Sequence, residues 1–178
     1  MRTTVVKRRS ALTLLSQSGL AVFTSLALTG CGFKLRGNQD FAFTTIAVTP
    51  NPGGALAQEL RRSFGSAVRV LTAGEPLTAA QVVLDILSEQ HEKAVVGVNS
   101  SGQVREFQLR IRVKFRIRTR PGDELMPVSE ILQQRDISFN ESAVLAKETE
   151  EAMLYRNMQT DIVQQLLRRL AKVNAARP

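Results

Sequence analysis

From Phe107 to Arg120 the chain alternates without a break. Phe107, Leu109, Ile111, Val113, Phe115 and Ile117 are apolar, Gln108, Arg110, Arg112, Lys114, Arg116 and Arg118 stand between them, and Arg120 continues the polar series. Alternation of period two over this length predicts a β-strand with one face on a core and the other on water or a partner. No acid interrupts the polar face. Side chains on one face of a strand stand roughly 6.5–7 Å apart, and full charges at that spacing repel by about 0.6 kcal/mol per neighbouring pair even in water. The stripe therefore needs acids on flanking strands or an anion from outside.

The remaining pattern surrounds this strand with others. Thr44 to Thr49 is a short β-prone run with Ile46 and Val48 on one face, ended by Pro50-Asn51-Pro52-Gly53-Gly54. A helix is predicted from about Ala55 to Ser66, where Leu56, Leu60 and Phe64 recur every four residues. Its Gly-rich start reads as a turn that begins a helix rather than as an anion cradle. Arg69 to Thr72 is a short extension toward the next strand, and Gly74-Glu75-Pro76 turns the chain. Ala80 to Glu89 is strand-like, with Val82, Leu84 and Ile86 alternating while Val83 and Leu87 make the other face partly apolar, and Gln90 to Val98 stays β-compatible. Asn99-Ser100-Ser101-Gly102 is a hairpin turn into the Arg-rich strand, and Arg120-Pro121-Gly122-Asp123 is a second turn out of it. Val128 to Asn140 is another strand, holding Ile131, Ile137 and Phe139.

Asn140-Glu141-Ser142 is capping chemistry before the longest helical pattern, Ala143 to Val173. Leu154, Met158, Ile162, Leu166 and Leu170 form its apolar stripe, widened by Val163 and Leu167. Glu148, Glu150 and Glu151 lie early and Arg168, Arg169 and Lys172 late, an order that suits the helix dipole. The order β-α-β-β-β-α predicts an α+β two-layer sandwich: two helices on one face of a four-stranded, largely antiparallel sheet. The apolar side of the Arg-rich strand would meet the helices, and its basic side would lie on the uncovered surface.

Composition changes this picture mainly at the N-terminus. Met1 to Gly30 has a cationic start, an apolar and small-residue stretch from Ala11 to Leu28, and a small-residue end before Cys31, the three parts of a secretory leader. Leu20 to Leu28 is its best apolar run, too short to span a bilayer. Arg8-Arg9 admits a twin-arginine export route as the alternative to the general one. Leu28-Thr29-Gly30-Cys31 resembles a bacterial lipobox, and Cys31 is the only cysteine, so lipidation on its thiol would resolve an otherwise reactive thiol in an exported chain. Gly32 follows where an aspartate would resemble the inner-membrane retention signal, which points to the outer membrane. Acyl chains worth about 0.8 kcal/mol per buried methylene would make that anchor stable. The expected organisation is a leader at 1–30, a lipidated tether at 31–43, one domain at 44–173 and a tail at 174–178. The formal charge of +8 falls with the leader, which carries four cations and no acids; the remaining 20 Lys and Arg against 16 Asp and Glu leave +4.

No catalytic constellation is visible. His91, the single histidine, stands in a polar stretch and reads as a satisfied or solvated side chain. Phosphate loops, nucleophile elbows and zinc-helix motifs are absent from the sequence. The chain reads as a binder without cofactor other than the covalent lipid on Cys31. For its basic stripe, Asp85, Glu89, Glu130 or Asp136 could supply cross-strand partners, and an external anion is the alternative. Nucleic acid fits an envelope lipoprotein poorly, and aromatic residues, at 5%, are scarce for base stacking. A phosphorylated lipid fits better.

The start Cys31-Gly32-Phe33-Lys34-Leu35-Arg36-Gly37, the turn Ser101-Gly102-Gln103, and Ala143-Val144-Leu145-Ala146-Lys147 before a helix ending Gln164-Gln165-Leu166-Leu167-Arg168-Arg169-Leu170 resemble the LptE family of outer-membrane lipoproteins. The resemblance implies an α/β sandwich that plugs and helps assemble the LptD β-barrel and binds lipopolysaccharide on its way to the outer leaflet. It implies a lipopolysaccharide contact at Lys147, the lysine of the Leu-Ala-Lys motif. The family's basic position before the Gly-Gln turn is replaced by uncharged Asn99, Ser100 and Ser101, with Arg105 the nearest compensating cation. With the stripe, which is read from its charge pattern alone, the candidate lipopolysaccharide-binding residues are Lys147, Arg110, Arg112, Lys114, Arg116 and Arg118. The rival reading is a solitary outer-membrane lipoprotein that binds anionic lipid or polysaccharide in the periplasm.

Overall fold

The computed structural model describes residues 39–119 and 122–173. The leader, Cys31 and the tether as far as residue 38, Arg120, Pro121 and the 174–178 tail lie outside the described residues. Five strands form one sheet: β1 (Thr45–Thr49), β2 (Arg69–Val70), β3 (Val82–Val98), β4 (Val104–Thr119) and β5 (Glu124–Ser138). Among the described residues two α-helices accompany them, α1 (Ala55–Ser63) and α2 (Val144–Ala171). The strand order is β2-β1-β3-β4-β5. β3, β4 and β5 are the expected antiparallel meander with the Arg-rich strand in its middle, whereas β1 runs parallel to both β2 and β3.

The sheet has five strands rather than four because Arg69 and Val70 pair with Thr45 and Ile46. Two residues are too few to show a period, so this edge strand reads in sequence only as an extension. β3 unites the two stretches expected at 80–89 and 90–98 through a bulge, where two residues step from Ile86 to Ser88 while β4 advances by one from Phe115 to Lys114. Leu87 is turned out at the bulge and is exposed. β5 starts four residues earlier than the alternation predicts, because Glu124 and Met126 already pair with Arg118 and Ile117 across the turn at Gly122. Pro127 is tolerated there because β5 is an edge strand.

The apolar side of β4 faces the helices as the alternation requires. Leu109, Ile111, Val113, Phe115 and Ile117 are all buried, together with Leu56 and Leu60 from α1, Phe64 just after it, and Met158, Ile162, Val163, Leu166, Leu167 and Leu170 from α2. Fully burying such a side chain contributes about 1.5–3 kcal/mol, which is why the helices stay on this face. The fully buried residues of α2 begin at Met158, with Leu154 and Tyr155 partly buried against the core just ahead of them. On the opposite side of β1 and β3 a small cluster, Ala47, Leu71, Ala80 and Val83, is covered by the segment that follows β2.

The Pro- and Gly-rich link before α1 is tied down by Arg61. Its guanidinium donates to the carbonyls of Val48 and Pro50, each at 2.8 Å, and to that of Pro52. Gly53 adopts φ +70°, and a Cβ there would come within 2.7 Å of the Pro50 carbonyl oxygen, so the turn admits only glycine. Arg61→Ala is expected to lower the unfolding free energy by about 2 kcal/mol, the loss of its charge-assisted bonds to the carbonyls of Val48, Pro50 and Pro52. A chemical denaturation curve checks this; a loss under about 0.5 kcal/mol, the scale of an ordinary surface change, would show that the loop holds itself.

Candidate functional site

The sheet presents its stripe on the face away from the helices. Arg110, Arg112, Lys114, Arg116 and Arg118 alternate with the buried β4 residues, and register brings acids of both neighbouring strands among them. Asp85 is cross-strand from Arg116 and accepts from Arg116 Nε at 2.8 Å, Arg118 Nε at 2.9 Å and the Thr49 hydroxyl at 2.7 Å. Glu130 accepts from Arg112 at 2.8 Å. Arg110 donates from Nε to Gln108 Oε1 at 2.7 Å and lies 4.0 Å from Glu92. Lys114, exposed between these pairs, has no carboxylate within 4.0 Å among the described residues. Of the acids expected to flank the stripe, Asp85 and Glu130 do so; Asp136 accepts from Gln108 instead, and Glu89 lies on the helix face beside His91.

These pairs explain how five cations share one strand face. Asp85 and Glu130 meet their arginines at 2.8–2.9 Å, closer than the roughly 6.5–7 Å between neighbouring positions on one strand face, so attraction offsets the repulsion along the stripe. Asp85 is the deepest of them, only 7% exposed. Burial pushes its carboxyl up, but hydrogen bonds from Arg118, Thr49 and Arg116 outweigh this and hold it below the ordinary aspartate value.

Lys147 belongs to a different place. It lies in the first turn of α2, where it donates to Ser138 Oγ at 3.0 Å and to Glu150 at 2.9 Å. A cleft of about 80 Å³ opens beside it, lined by Lys93, Phe107, Ile137, Phe139, Val144 and Glu148 among others. The Phe107 and Phe139 rings meet edge-on, with centroids 5.3 Å apart, and Lys93 Nζ sits 4.4 Å over the Phe107 ring. The candidate cations thus fall into two sites: the stripe on the open face, and Lys147 between the helix start and the end of the meander. Arg105 points to Gln103 at 3.4 Å and does not line the cleft. Lys93, which the sequence pattern does not single out, does.

His91 is a structural residue. Its Nε2 is 3.0 Å from Glu89, and its ring lies against Tyr155 at 5.3 Å. The Tyr155 hydroxyl donates to the Glu92 carbonyl at 2.8 Å, and burial, then the charges of Glu151 and Glu92, raise its pKa. No group of three or more His, Cys, Asp or Glu is arranged to hold a metal ion among the described residues, and no described helix is long and apolar enough to cross a membrane. Cys31 lies outside the described residues.

The family model for LptE, described as lipopolysaccharide-assembly, matches residues 43–170. The chain belongs to the LptE family. Its similarity to proteins named LPS-assembly lipoprotein LptE reaches beyond the domain: 30% identity over 172 residues with that of Yersinia pestis, covering 95% of this chain and 79% of the relative. The one from Pectobacterium atrosepticum is 28% identical over 163 residues, 89% of this chain and 84% of that protein. Among solved structures, lipoprotein B of Nitrosomonas europaea superposes with a TM-score of 0.68 at 33% identity, over 82% of this chain and 94% of that one. Rare lipoprotein B of Shewanella oneidensis, at 22% identity and TM-score 0.59 over 72% and 94%, shares the fold. A non-catalytic role accords with an LptE family member.

Proposed function

We propose that this protein is a lipid-anchored outer-membrane component of lipopolysaccharide assembly that plugs and helps to build an LptD-like β-barrel and binds lipopolysaccharide in transit. The observation that carries this reading is the LptE family match across 43–170, the whole two-layer domain. The lipobox ending at Cys31 supports the anchor and the outer-membrane location. The domain's form supports the plug: a sheet with one face closed by helices leaves a face of paired charges that tolerates either water or the polar lining of a barrel lumen. Lys147 and the stripe from Arg110 to Arg118 are the candidate contacts for phosphorylated glycolipid, since ammonium and guanidinium groups are natural phosphate donors.

Co-purification tests the proposal. Affinity isolation of the full-length lipoprotein from detergent extracts is expected to bring down a large β-barrel protein in equal amount, identified by mass spectrometry. Recovery of the lipoprotein alone, even after crosslinking, would favour the rival: a solitary lipoprotein that binds anionic lipid or polysaccharide.

A further inference from the structure

The cleft beside Lys147 has three acids in or beside it against two cations. Lys93 is bound to Glu151 at 2.6 Å and Lys147 to Glu150 at 2.9 Å, while Glu148 also lines the cleft. A site built only to attract an anion would not be neutralised in this way. Yet both lysines stand over an apolar floor of Phe107, Ile137, Phe139 and Val144, and a more exposed apolar rim continues it. Val95 is cross-strand from Phe107, and Leu145, next to Val144, is 79% exposed. At about 80 Å³ the cleft is far below the roughly 300 Å³ of a small-molecule pocket, so it takes one headgroup substituent and not a whole lipid.

We infer that Lys93 is a second cation of the Lys147 site, and that Glu150 and Glu151 are its built-in competitors, occupying the two ammoniums until the phosphate of an acylated lipid displaces them. This rests on the proposed lipopolysaccharide-binding role. Charge and shape select the occupant: a phosphate replaces two monovalent carboxylates with one more highly charged group beside a helix start, and an acyl chain covers the apolar rim. Both ion pairs are partly exposed. Pairs of this kind are worth less than about 1 kcal/mol, weak enough for a ligand to break and strong enough to discourage weaker anions.

Binding of purified lipopolysaccharide, intact or dephosphorylated, to the detergent-solubilised full-length protein tests this. Glu150→Gln and Glu151→Gln are each expected to bind intact lipopolysaccharide about two- to fivefold more tightly at low salt, the range set by exposed pairs. Lys93→Gln should weaken binding as Lys147→Gln does, and dephosphorylated ligand should abolish all four differences. If the glutamine variants bind no more tightly while Lys147→Gln binds more weakly, the competition is overturned and the Lys147 contact stands. If Lys93→Gln alone matches the parent, Lys93 leaves the site. If neither lysine variant differs from the parent, the cleft is not the lipopolysaccharide site at all. Melting curves of each variant confirm that folding is intact.

Discussion

Replacing Asp85 with alanine is expected to cost the domain about 2–3 kcal/mol, the largest loss from any single polar side chain. Removing one partner of a buried pair typically costs about 3–5 kcal/mol, because the opposite charge stays behind. A loss below that range is expected here because Arg116 is 42% exposed and keeps some water. Without the carboxylate, Arg116 and Arg118 face each other on one strand, and the Thr49 hydroxyl loses its acceptor. The loss should depend on pH. The Asp85 pKa is lowered in the fold, so its contribution is present above the unfolded value of about 3.9 and fades as the pH falls through the folded value. Urea denaturation of parent and Asp85→Ala at pH 7 and at successively lower pH reads both effects. The gap between the curves should narrow below about pH 4, and a gap that stays constant would mean that shape rather than charge holds this corner.

The second large effect concerns the open face. A triple variant, Arg112→Gln with Lys114→Gln and Arg116→Gln, is expected to bind lipopolysaccharide about ten- to a hundredfold more weakly and with a flatter dependence on salt, given about 1.5–3 kcal/mol for a bond to a charged group and screening of the exposed ones. The pairing in the structure sharpens the design. The triple change also strips Glu130 and Asp85 of partners, so it lowers stability, and lost binding could then follow from a disturbed sheet. Lys114→Gln separates the two, since Lys114 holds no carboxylate among the described residues. That single variant should bind several-fold more weakly while melting no earlier than the parent. Unchanged binding with a higher melting point would show instead that Lys114 only adds repulsion to the stripe.

Much of this molecule is legible in one dimension. The alternation from Phe107 to Ile117 and the stripe from Leu154 to Leu170 place the core residues correctly, because periods of two and of nearly four map directly onto buried faces. The hairpin turn at Asn99 to Gly102 is equally local: Asn99 Oδ1 accepts from the amides of Ser101 and Gln103, and Gly102 takes φ +81°. Elements with few residues or with interrupted periods are not legible in this way. β2 has only two residues, and its membership in the sheet comes from backbone pairing with β1, which leaves no pattern in side chains.

The candidate sites divide along the same line. Sequence alone determined that the cations of β4 share one face, that this face is opposite the core, and that Lys147 opens the long helix. Only the tertiary structure decided which acids answer those cations, because Asp85 and Glu130 are 31 and 18 residues away from Arg116 and Arg112 and meet them through strand register. It also decided where Lys93 points. Along an unbroken strand Lys93 would share the open face with Asp85, since both are odd-numbered. The extra residue at Leu87 reverses that parity, so Glu89, His91 and Lys93 turn to the helix side, opposite Val113, Ile111 and Leu109. A bulge costs the chain one residue and leaves no mark in composition, yet every side chain beyond it changes face. The stripe was therefore fixed by local alternation, and the cleft beside Lys147 by a single irregularity that only pairing with β4 reveals.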